Sequence, residues 1–166
     1  MNTDAQKEKQ KIIVLLAGIV VLLLIILFSS LSYIRATSPV RQAKTEAIQL
    51  AEQYAKIEQV DQFYWFTREQ TYFSVLGKND QQQEVIAIIP KSGEKVTVLA
   101  QDEGLTEYEA REKVFNEYPS ETLRKATLGM FEDKPVWEVM TKDDKGNNYY
   151  LLDFKDGKEV KVIRNI

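Results

Sequence analysis

"PKSGEKVTVL" (90–99) and "FKDGKEVKVI" (154–163) lie 64 residues apart and read as two versions of one segment. Each holds a Lys-x-Gly turn followed by alternating valines. Carried upstream, the overlay sets residues 72–99 on 136–163 without a gap. Val75, Lys78, Asp80, Lys91, Gly93, Val96 and Val98 meet the same residue type at Val139, Lys142, Asp144, Lys155, Gly157, Val160 and Val162. Self-similarity at a fixed spacing has to be settled before any fold is assigned, because it makes the unit, not the chain, the thing to be read.

Each unit opens with a helix. In the first, Ser38 suits an N-cap and Pro39 the first helical position. Val40, Ala43, Ala47, Leu50, Ala51 and Tyr54 then recur at three- and four-residue steps. In the second, Thr106 and Glu109 have the spacing of a capping box. Ala110, Val114, Phe115 and Tyr118 form the expected buried face, and Pro119 stops the helix. Four strands follow in each copy, predicted at 60–67, 71–78, 83–89 and 95–100, then at 122–131, 135–142, 147–154 and 159–164. "KSGEK" and "KDGKE" are tight hairpin turns in which glycine supplies the positive φ. The pattern α-β-β-β-β, written twice, predicts an α+β fold with a helix packed on an antiparallel sheet in each unit. Units of ~60 residues are marginal alone, so the two are expected to share an interface.

Upstream of the repeat, residues 12–34, "IIVLLAGIVVLLLIILFSSLSYI", carry no charge. As a helix this block would run about 34 Å, slightly more than the ~30 Å hydrocarbon core of a bilayer. It is longer than a signal-peptide apolar region and no A-x-A site follows, although "SSLS" (29–32) offers small residues to a signal peptidase. The reading adopted is an uncleaved transmembrane anchor. Lys7, Lys9 and Lys11 precede it and Arg35 follows, so the N-terminal side is expected to be cytoplasmic. The expected divisions are a cytoplasmic tail 1–11, a transmembrane helix 12–34, a first unit 38–101 and a second unit 103–166, both extracytoplasmic.

The inventory for catalysis is short. The sequence has no histidine and no cysteine, which removes the commonest general base, the thiol nucleophile and the usual transition-metal ligands. Asp102/Glu103, Asp143/Asp144 and Asp153 with Asp156 read as turn and linker carboxylates. A calcium site at Asp143, Asp144 and Asn147 lacks the spacing of an EF-hand loop. Residues 36–166 hold 18 Lys+Arg and 23 Asp+Glu; no basic stripe appears, so nucleic acid is not an expected partner. No enzyme activity, cofactor or metal is expected.

One stretch stands out for binding. "VDQFYWFTREQTYFSVLG" (60–77) sets Phe63, Tyr64, Trp65 and Phe66 side by side. On a strand, Phe63 and Trp65 take one face and Tyr64 and Phe66 the other. One face packs on the helix. The other is inter-unit core, a protein-binding surface, or a platform for carbohydrate stacking. At an offset of 64 the second copy has Thr127, Leu128, Gly129 and Met130, so the repeat does not demand aromatics here. Tyr64, Trp65 and Phe66 are the candidate partner-binding residues.

With the apolar block and the two hairpins, "VDQ" (60–62), "TYFSVLG" (71–77), "PVWEVM" (135–140) and "YYLLDFKDGKEV" (149–160) resemble the TseB-like cell wall elongation regulators, membrane-anchored proteins of Gram-positive bacteria. The last segment is also similar to the closing strand pair of PepSY-type modules. The resemblance spans essentially the whole chain. It implies two cystatin-like domains outside the membrane and a non-catalytic role beside a penicillin-binding protein in sidewall synthesis. Two rival readings are a peptidase-inhibitor-like module of PepSY or cystatin type and a sensor of wall polymer or a small ligand.

Overall fold

A computed structural model describes residues 3–166 of the chain. The chain divides between Ala43 and Lys44 into two compact units. Helix α1 runs Thr3–Ala55. Within it Ile13–Ser30, with a mean hydropathy of 3.1 and none of it buried, is long and apolar enough to cross a membrane by length and composition. The sequence predicts a break after residue 34 and a fresh start at Ser38. The structure has neither: α1 passes through Ser38 and Pro39. A helix already formed needs no new nucleus, and a proline inside it forfeits one backbone bond without forcing an end. The helix count therefore differs from the expected one.

The unit from Lys44 onward holds two four-stranded antiparallel sheets. The first has order β1 (Ile57–Thr67), β2 (Thr71–Asn79), β3 (Glu84–Pro90) and β4 (Thr97–Ala100). A 3-10 turn, Gln101–Glu103, leads to α2 (Glu107–Glu117). The second sheet has order β5 (Thr122–Phe131), β6 (Lys134–Lys142), β7 (Asn147–Asp153) and β8 (Glu159–Ile163). Both are simple meanders, as the repeat predicts. Gly93 and Gly157 take φ of +76° and +67° in the two Lys-x-Gly hairpin turns.

Thr106 caps α2 as the spacing predicts. Its side chain accepts from the Glu109 backbone N–H, and the Glu109 carboxylate accepts from the Thr106 backbone N–H at 2.8 Å. Ala110 and Val114 are buried, but Phe115 is exposed, contrary to the expected face. In α1 the buried stripe is Ala47, Ala51 and Ala55, four residues apart, while Val40 and Tyr54 are exposed. Alanines let a helix lie close to a sheet, and larger side chains at three-residue steps are turned away from it.

The overlay without a gap holds for two strands of the sheet and fails for a third. Val75 pairs with Ala87 and Ala87 with Val98. In the second copy Val139 pairs with Tyr150 and Tyr150 with Val162. Ala87 thus corresponds to Tyr150, not to Leu151 as an offset of 64 requires. Counted from the last paired residues, Lys78 with Glu84 and Lys142 with Asn147, the β6–β7 turn is one residue shorter than the β2–β3 turn. An irregularity in β8 pairing at Leu151/Leu152 restores the phase. A one-residue slip turns every side chain to the opposite face, so the correction decides which residues are core.

Candidate functional site

Alternation along β1 separates the aromatic run into two faces, and the cross-strand partners fix which is which. Tyr64 pairs with Ser74 and Phe66 with Tyr72, whereas Phe63 pairs with Val75 and Trp65 with Phe73. The Tyr64 and Phe66 face turns toward the second sheet. Tyr64 is 8% and Phe66 1% exposed.

These two rings clasp the edge of the second sheet from opposite sides. Tyr64 lies edge-on to Trp137 at 5.4 Å between ring centroids and shares a cluster with Ile86, Ile88, Ala110, Val114, Leu128 and Leu152. Its hydroxyl donates to the Glu107 carboxylate at 2.6 Å. Burial, reinforced by that carboxylate, pushes the Tyr64 phenol well above its ordinary value. Phe66 belongs to a separate cluster with Phe131, Val136 and Leu151 on the other face of the second sheet. Between the two rings, the Ser74 hydroxyl donates to the Leu128 carbonyl at 2.8 Å. Gly129 makes room: a β-carbon there would stand 2.2 Å from Phe66 Cγ. Phe66 pairs with Tyr72 and Gly129 with Val136. By pairing, 129 thus stands where the first copy has Phe66, not Trp65 as an offset of 64 gives, and the small residue there leaves room for the ring. Arg68, just beyond β1, extends the clasp by pairing with Glu138 and lying 4.4 Å over the Tyr149 ring.

Of the candidate binding residues, Tyr64 and Phe66 are therefore buried between the two sheets. Trp65 differs. It is half-buried on the opposite face, edge-on to Phe73 at 5.0 Å, with its indole N–H donating to the Thr67 hydroxyl at 3.1 Å. Phe63 stacks on Phe73 at 6.0 Å, and the Lys44 ammonium sits 5.5 Å from the Phe63 centroid. Phe73 itself is buried, so on this face it is Trp65 and Phe63 that keep part of their surface, beside the Lys44 cation.

The carboxylate pairs build turns. Asp143 accepts from the backbone N–H groups of Lys145 and Gly146 at 2.7 and 3.0 Å and from Asn148 Nδ2 at 3.0 Å. Those bonds, the Asn148 one foremost, hold its carboxyl below the usual range. Asp153 accepts from the Lys155 N–H, and Asp156 from the Lys158 N–H and ammonium. Among the described residues no group of three acidic side chains is placed to hold a metal ion. Two open clefts, about 400 and 170 Å³, share Glu84 and Val85 and are lined by carboxylates, amides and aliphatic groups, without a paired nucleophile and base.

A buried polar knot secures the second sheet. The Glu121 carboxylate accepts from the Thr141 hydroxyl and, at 2.8 Å, from the Tyr150 hydroxyl. Tyr118 stacks on Tyr150 at 4.3 Å and donates to Glu159 at 2.9 Å. Desolvation first, and Glu159 second, push the Tyr118 phenol up to about 12; Tyr150 is raised further, by burial and Glu121.

Comparison with known proteins bears on the same region. Residues 46–90, which include the end of α1 and β1 through β3, match the family model of the cell wall elongation regulator TseB-like domain. The YpmB protein from Bacillus subtilis superposes with a TM-score of 0.63 at 23% identity, over 72% of this chain and 94% of that one. A candidate lipoprotein from Clostridium difficile 630 gives a TM-score of 0.38 at 17% identity, over 72% of this chain and 91% of that one. The likeness to YpmB is one of fold. No curated protein matches the sequence.

Proposed function

We propose that this chain is a non-catalytic, membrane-anchored accessory protein that regulates cell wall elongation by binding a penicillin-binding protein on the outer side of the membrane. The observation that carries the reading is the match of residues 46–90 to the elongation-regulator domain, a span that contains the whole aromatic run. The apolar stretch Ile13–Ser30 supports an anchor, with the lysine-rich N-terminal side in the cytoplasm and the two sheets, as cystatin-like units, outside. Confinement to the membrane raises the effective concentration of a partner in the same bilayer, so modest affinity suffices. The docking residue retained is Trp65, with Phe63 and Lys44 beside it.

The test is photo-crosslinking in living cells from position 65, with position 145 as control. A penicillin-binding protein captured from 65 and not from 145 is the expected result. Adducts from neither position, with the protein folded and at the membrane, would remove Trp65 from the docking surface. Capture of an unrelated enzyme would replace the partner.

A further inference from the structure

Helix α2 has a face the fold leaves uncovered. While Ala110 and Val114 point into the core, Tyr108 is 71% and Phe115 50% exposed. Positions 108, 112 and 115 fall on one side of a helix, with 108 and 115 about 10 Å apart along its axis. Glu112 lies between the rings, exposed, and has no hydrogen bond or ion pair among the described residues. Arg111 on the flank is held by Glu107 at 3.0 Å, and Glu109 on the other side is also exposed. The strip is two rings around an unpaired carboxylate.

A single exposed aromatic needs no explanation. Here the molecule supplies its own comparison. By burial, Ala47 and Ala51 of α1 correspond to Ala110 and Val114 of α2. The same shift sets Thr45, Gln49 and Glu52 against Tyr108, Glu112 and Phe115. A helix in the same place on its sheet is thus built with polar residues along this strip, so the rings are not a demand of the fold.

We propose that the Tyr108–Glu112–Phe115 strip is a docking surface for a protein segment that carries a lysine or arginine between apolar side chains. The rings supply apolar area of the kind that concentrates binding energy. Glu112 would be desolvated as an interface closes over it, which is tolerable only if the partner brings a cation. The same charge repels phosphate-bearing polymers and anionic lipid surfaces. The strip shares no residue with the Trp65 face and does not depend on who binds there.

The experiment places a photo-crosslinking residue at 108 and, separately, at 115 of the full chain in its own membrane, and sequences the adducts. The expected result is one protein segment captured from both positions, with Lys or Arg flanked by apolar residues. Its yield should fall at least about tenfold in Glu112→Lys. A melting temperature equal to that of the parent shows that the variant is folded; if it is lower, Glu112→Gln is read instead, with the same loss expected. Adducts with a glycan, with a second copy of this chain or with an acidic segment overturn the proposal. So do no adducts, or yields indifferent to the charge at 112.

Discussion

The two sheets share strand order and turn chemistry, yet they spend their faces differently. The first turns Phe63, Phe73, Val75 and Ala87 to one side and offers Tyr64 and Phe66 from the other to its neighbour. The second packs Trp137, Val139 and Tyr150 with α2 and accepts Phe66 on its opposite face, against Gly129. Residues that match between the copies, Val75 with Val139 and Gly93 with Gly157, make the fold. Those that differ, Phe66 and Gly129 above all, make the joint. A departure from an internal repeat is therefore as informative as a match.

That division can be broken in order of expected effect. Phe66→Ala should cost about 3–5 kcal/mol in chemical denaturation, because it empties a closed contact between the sheets. Gly129→Ala should cost about 1–3 kcal/mol by overpacking, and somewhat less when Phe66 is already alanine, which removes the ring contact at 2.2 Å but leaves the Phe66 β-carbon 2.5 Å away. Equal costs in the two backgrounds would mean that the ring and the glycine do not oppose each other. Thr106→Ala should cost about 1 kcal/mol through the lost cap, with the clasp untouched.

The tyrosines add a smaller, graded effect. Tyr64, Tyr118 and Tyr150 have phenol pKa values raised in the folded state. Their contribution is complete below the unfolded value of about 10. It is lost as pH rises from there through the folded values, since the unfolded chain releases protons that the native one retains. Thermal melts at pH 9 and 11 should differ, and Tyr150→Phe should narrow the difference. Phe115→Ala should leave the melting temperature within error, because an exposed ring contributes little to the fold.

Much of this was legible in the sequence. The strands came within a few residues of their observed ends because alternation and turn glycines are local signals. The capping box of α2 is spelled by two residues. The one-residue slip between copies was not legible, since phase within a sheet is set by the pairing partner across it. The aromatic run gave its two faces but not their fates: alternation says that Tyr64 and Trp65 point apart, and only the position of β5 says which one is covered. Phe115 was assigned inward because it lies three residues before Tyr118, but the buried face of the helix runs through Ala110 and Val114, a four-residue step that leaves 115 outside. Pro39 looked like a beginning because nothing nearby shows that an upstream helix simply continues.

The clasp has a consequence for the order in which the protein is made. The first hundred residues leave the ribosome with Tyr64, Phe66, Ile86 and Ile88 aligned on one side of a finished meander, and the groups that cover them arrive only with residues 105 to 154. Until then the leading half carries an adhesive surface, a window in which a holdase has something to hold and a truncated product has something to aggregate through. A fragment ending at Ala100 is, by this reasoning, a poor substitute for half of the molecule.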